Sequence, residues 1–149
     1  MKFTQNETLR KFERMNDSID SLYHRIAMSL GLSDSSYSIL RALLLLGDGA
    51  TQTEIYRYSC INKQTVNSSV KRLAQDGCIR FEDGAGRERK IFMTEAGREI
   101  VQKRILPIEQ AESEVFDEMS EQEQSMLLKV TEKYLNAFQA KIEKYLSHD

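Results

Sequence analysis

The stretch from Asn62 to Gly77 most narrows the folds open to this chain. "NKQTVNSSVKRLAQDG" places Val66, Val70, Leu73 and Ala74 at the spacing of one helical face. Asn62 is a good N-cap, and Gly77 is a natural residue just past a helix end, so this helix has a start and a stop. Its outer face carries Gln64, Asn67, Ser68 and Lys71, with Lys63, Thr65 and Arg72 alongside. No glutamate occurs between Lys63 and Asp76, although a solvated helix commonly pairs Glu with Lys at four-residue spacing. Two short runs, "CIRFE" and "RKIFMT", lie on either side of the turn "DGAG". Their β-branched and aromatic content, with glycines between, predicts a hairpin.

The flanks are helical. Leu9, Phe12, Met15, Ile19, Leu22, Tyr23, Ile26 and Leu30 make one face of a helix over about 7–30, stopped at Gly31. Ser33 or Asp34 caps a second helix over 34–46, with Tyr37, Leu40, Leu43 and Leu44 on its apolar side. "GDGAT" at 47–51 reads as a turn. Thr51 with Glu54 forms a capping box for the short helix "TQTEIYRYS". Beyond the hairpin, Thr94 caps a long helix over roughly 95–118, in which Pro107 should bend the axis or interrupt one hydrogen bond. Ser120 and Glu123 form a second capping box, and the last helix, about 121–146, aligns Leu127, Val130, Tyr134, Phe138, Ile142 and Tyr145.

A chain of 149 residues can bury a full core without staples. Its two cysteines, Cys60 and Cys78, make no disulfide framework and fit a reducing compartment. No apolar signal core opens the chain, and "ALLLLG" is too short to span a bilayer, so the expected location is cytoplasmic, with no membrane partner. The net charge is −2. Its distribution is uneven: Arg57 to Arg104 holds 11 Lys/Arg against 6 Asp/Glu, and the remainder holds 10 against 17. The middle is basic and the ends are acidic. No glycine-rich phosphate loop, paired-carboxylate site or nucleophile–histidine arrangement appears, so no enzyme and no cofactor is expected.

Two helices joined by a tight turn, the second polar and basic outside, make a helix-turn-helix, and a hairpin directly after it makes it winged. Groove reading requires short hydrogen-bonding side chains for base edges, here Gln64, Thr65, Asn67 and Ser68. It also requires cations for phosphates, here Lys63, Lys71 and Arg72 on the helix and Arg87, Arg89 and Lys90 on the wing. The expected fold class is therefore mostly α with one small β-hairpin wing, and the expected partner is double-stranded DNA. A helical adaptor that docks an acidic protein on the same basic face is the alternative.

At "EIYRYSCINKQTVNSSVKRLAQDGCIRFED", followed by "MTEAGR", the chain resembles the MarR (multiple antibiotic resistance regulator) family of winged helix-turn-helix transcription factors. The resemblance covers almost the whole chain, which implies a single domain over 1–149. Its DNA-binding lobe would span 34–94, and 1–30 and 95–149 would supply dimerisation helices. It implies a homodimer, a repressor acting on a pseudo-palindrome, and release by a small molecule. The sequence departs from the family at several places, among them a wing about two residues shorter than is common. Cys60 stands where the turn often has glycine. Ser59 stands where a buried leucine is usual. Ala85 replaces the aspartate that braces the wing arginine, here Arg87, with Asp83 a substitute across the turn.

The resemblance also implies an effector pocket lined by the first, second and fifth helices, with Tyr23, His24, Met28, Tyr37 and Arg41 as candidates. Arg41 and Tyr37 suit a phenolic or carboxylate effector. With only His24 and His148 as histidines, no metal site is expected. Cys78 opens a strand at a core position and reads as a buried hydrophobe. Cys60 lies near cations at the start of the recognition element; it reads as an inert thiol, and the alternative is a thiol-oxidation-responsive regulator in which oxidation of Cys60 disturbs DNA contact.

Overall fold

The structure, a computed structural model, describes residues 4–83 and 89–147. Arg87 on the expected wing tip and His148 lie outside the described residues. The chain divides into two compact units, Met1–Leu106 and Pro107–Asp149.

In the first unit, α1 (Glu7–Ser29) and α2 (Asp34–Leu46) are followed by β1 (Ala50–Thr51), α3 (Gln52–Ser59) and α4 (Lys63–Gln75). Strands β2 (Ile79–Asp83) and β3 (Arg89–Met93) precede α5 (Glu95–Ile100) and a π-helical turn at Val101–Ile105. The caps form where the sequence puts them. Ser33, rather than Asp34, accepts from the Ser36 N–H at the start of α2. Thr51 and Glu54 close a reciprocal capping box on α3. Asn62 Oδ1 accepts from the Thr65 N–H at 2.8 Å. Satisfying the orphan amides of a first turn is a local task, so local sequence specifies it.

Helix α2 is the hub. Its Ile39, Leu40 and Leu43 are fully buried with Ile55 of α3, Val70 and Leu73 of α4, Ile91 of β3 and Ile105 of the π turn. The buried Ser69 on α4 donates to Ser35 at 2.8 Å, so the one polar residue on that inward face is satisfied. This seam fixes which face of α4 points outward.

Two elements differ from expectation. The "GDGAT" turn ends in a strand: Ala50 and Thr51 pair with Ile91 and Lys90, so the sheet has three antiparallel strands in the order β1-β3-β2. The helix expected over 95–118 is interrupted just before Pro107, where Leu106 N–H bonds to Val101 O in a π turn. Proline has no N–H and its ring crowds the carbonyl four residues back, which a locally widened turn relieves.

In the second unit, α6 (Leu106–Asp117) and α7 (Glu121–Leu146) are joined by a capped turn. Ser120 and Glu123 form the expected capping box, and the Gln124 amide donates to the carbonyls of Phe116 and Met119. Val130, Tyr134, Phe138 and Ile142 of α7 are all exposed, and so, on α1, are Met15, Ile19 and Leu22.

Candidate nucleic-acid interface and ligand cavity

With Val66, Val70 and Leu73 seated on the core, α4 presents Lys63, Gln64, Asn67, Ser68, Lys71 and Arg72 to solvent. Gln64, Asn67, Ser68 and Lys71 follow three- and four-residue steps, so they share one face. Thr65 is half-buried at the edge of that face. The Ser68 hydroxyl donates to Thr65 O at 3.0 Å, which leaves its lone pairs outward. Arg72 lies 3.8 Å from Asp76 one turn on. Lys63 and Lys71 have no ion pair among the described residues. The Lys63 ammonium instead sits 5.2 Å from the centre of the Tyr56 ring on α3.

On the sheet, Arg89 stacks 4.2 Å over Phe81 and is in register with Asp83. Asp83, the expected substitute brace for Arg87, therefore stands opposite Arg89. Lys90 is exposed opposite Glu82. Arg80, which sequence reasoning did not single out, lies 4.9 Å over Phe92 and pairs with Glu82.

The "MTEAGR" stretch proves to be a junction. Thr94 caps α5, donates its hydroxyl to Gly77 O at 2.6 Å, and bonds through its N–H to Cys78 O at 3.0 Å. Gly97 packs so closely on Cys78 that a Cβ there would lie 1.9 Å from the Cys78 carbonyl oxygen. Arg98 reaches Asp48 at 2.5 Å, and the same carboxylate accepts the Met93 N–H at 2.9 Å. The end of α4, the last residue of β3 and the start of α5 are thereby held together.

Between α3 and α4, Cys60 takes the left-handed conformation, φ +54°, and is the one non-glycine with positive φ among the described residues. The glycine common at that turn has a physical basis here. Cys60 is exposed and Cys78 buried, and burial, aided by Asp76, pushes the Cys78 thiol above its ordinary value.

A cavity of about 360 Å³ lies among α1, α2 and the end of α3. It brings together all four of Tyr23, His24, Tyr37 and Arg41. Tyr23 and Tyr37 tilt against each other at 6.4 Å, and Arg41 lies 5.4 Å over Tyr23. His24 Nδ1 is 2.9 Å from Asp34, a partner not anticipated. The third wall is Tyr58 and Ser59 of α3 rather than α5, and Met28 does not line the space. The described residues contain no cluster of three or more His, Cys, Asp or Glu placed to hold a metal ion. No helix among them is long and apolar enough to cross a membrane.

A model of the MarR family matches residues 30–90, the span from the end of α1 to β3. Over that span the chain is similar to the MarR family. The MarR fold extends over nearly the whole chain. A MarR family regulator from Neisseria meningitidis superposes with a TM-score of 0.76 at 21% identity, over 94% of this chain and 99% of that one. The S. aureus MepR–DNA complex superposes with a TM-score of 0.69 at 18% identity, over 92% and 99%. The PcaV regulator from Streptomyces coelicolor, solved with its natural ligand, gives 0.66 at 14% identity, over 91% and 99%. No curated protein matches the chain in sequence. Within the MarR winged helix, α3 and α4 are the helix-turn-helix and β2–β3 the wing.

Proposed function

We propose that this chain is a sequence-specific, homodimeric DNA-binding transcriptional regulator of the cytoplasm, acting as a repressor. The observation that carries the reading is the outward face of α4: hydrogen-bonding side chains, and Lys63 and Lys71 without an ion pair among the described residues, on a helix seated by Val66, Val70 and Leu73. Gln64, Thr65, Asn67 and Ser68 read base edges; Lys63, Lys71 and Arg72 meet phosphates. Arg89 and Lys90, with Arg87, carry the wing along the backbone. The MepR structure, solved with DNA, supports this use of the fold.

The open apolar stripes of α1 and α7 support dimerisation through 1–30 and 95–149, since patches of this kind on a stable protein are normally covered. A two-fold dimer sets its recognition helices roughly 34 Å apart and reads a pseudo-palindrome. A small phenolic or carboxylate effector in the Tyr23–His24–Tyr37–Arg41 cavity shifts that spacing and releases the DNA. The exposed Cys60, at the turn that aims α4, favours oxidation as a second route to release. Selecting bound duplexes from a random pool tests the reading. It predicts enrichment of an inverted repeat; a pool that returns unenriched, with binding insensitive to salt, overturns it.

A further inference from the structure

A second cavity, about 150 Å³, lies where α3 meets α4. Val66 forms its buried floor, Gln52 and Thr53 supply polar wall, and Tyr56 and Lys63 close it. The chemistry of this notch is specific. A lysine ammonium on four rotatable bonds normally loses considerable rotamer entropy when it is fixed on a partner. Here the ring face of Tyr56, 5.2 Å away, already confines it. A carboxylate partner would confine it too, but would also cancel its charge. A ring attracts the cation through its quadrupole and leaves the net charge intact. Lys63 therefore stays oriented and uncompensated at the rim, with no ion pair among the described residues. The nearest acid on α3, Glu54, is turned back onto Thr51, whose N–H and hydroxyl it engages.

We infer that this notch is a seat for one backbone phosphate of the DNA, in which Tyr56 positions Lys63 and Gln52 and Thr53 offer hydrogen bonds to the phosphate oxygens. The inference rests on the DNA-binding reading above and adds residues from the helix before the recognition helix. Tyr56 acts through Lys63; it is a positioning residue.

The test uses the full chain and a mixed-sequence duplex of about 30 base pairs, with affinity measured against KCl concentration. Each neutralised phosphate contributes about 0.9 to the slope of log affinity against log salt. Lys63→Gln, a surface change that keeps the fold, lowers the slope by about 1 per bound subunit. Tyr56→Leu, checked for folding by circular dichroism, lowers it in the same direction, and the double variant falls no further than Lys63→Gln alone. Tyr56→Phe keeps the ring and retains most of the slope. A Tyr56→Leu protein with the wild-type slope, or a double variant whose losses add, overturns the positioning role. A Lys63→Gln protein with the wild-type slope overturns the seat while leaving the DNA reading standing. A wild type without salt-dependent binding overturns both.

Discussion

Replacing Gly97 by alanine tests how the wing is joined to the helix that follows it. An alanine Cβ would lie 1.9 Å from Cys78 O, 2.9 Å from Cys78 C and 3.3 Å from Cys78 Cα, all backbone atoms that no rotamer change can move. Carbon and carbonyl oxygen approach in favourable contacts at about 3.3–3.6 Å, so the two backbones must separate by well over 1 Å. That shift strains the Thr94 N–H bond to Cys78 O and the Thr94 hydroxyl bond to Gly77 O. Overpacking of this kind costs about 1–3 kcal/mol, and the two hydrogen bonds add about 1 kcal/mol each. Alanine's better helix propensity returns about 1 kcal/mol, for a net loss of roughly 2–4 kcal/mol. Urea unfolding followed by circular dichroism reads this as a fall in midpoint, and thermal unfolding as a fall of roughly 10 °C. A Gly97→Ala protein as stable as wild type, or more stable as propensity alone dictates, would refute the close approach.

Three further outcomes follow from single residues. Cys60→Gly should stabilise the protein by about 1 kcal/mol, because Cys60 adopts a left-handed conformation that costs other residues about that much; an unchanged urea midpoint would count against the turn geometry. A water-soluble thiol reagent should titrate one cysteine per native chain, Cys60, and two in urea, since Cys78 is buried; two fast equivalents without denaturant would contradict the core. The capping boxes predict a pH signature. The Thr51 N–H and then its hydroxyl hold Glu54 below its ordinary 4.5, and the Ser120 hydroxyl and then its N–H do the same for Glu123. The folded state therefore binds these protons less readily than the unfolded chain, so the contribution is complete above about pH 4.5 and is lost as pH falls through the lower folded values. Glu54→Gln with Glu123→Gln should flatten that acid limb in a melting series, and an unchanged limb would remove the carboxylates as its cause.

The structure separates what local sequence specifies from what it does not. Caps at Thr51, Asn62, Thr94 and Ser120 were legible because each is satisfied within three residues. The outward face of α4 was legible because Val66, Val70 and Leu73 fix the helix's rotation. Strand β1 was not legible: two residues are too short for an alternating pattern, and their partners Ile91 and Lys90 lie some forty positions on. Tyr58 and Ser59 as a cavity wall, and Asp34 as the partner of His24, depend on how α1, α2 and α3 cross, which no spacing encodes. Gly97 could be noticed as part of "MTEAGR", but its reason, the Cys78 carbonyl against its Cα, exists only in three dimensions.

The central claim is that the face of α4 reads DNA. Its most direct measurement is fluorescence anisotropy of a selected duplex and of a scrambled one, titrated across KCl concentration with wild type, Asn67→Ala and Lys71→Ala. Asn67→Ala should lose about 1–3 kcal/mol on the selected duplex and little on the scrambled one. Lys71→Ala should weaken both alike and reduce the salt slope by about 1 per contact. Wild-type affinity in both variants, on both duplexes, would contradict the account.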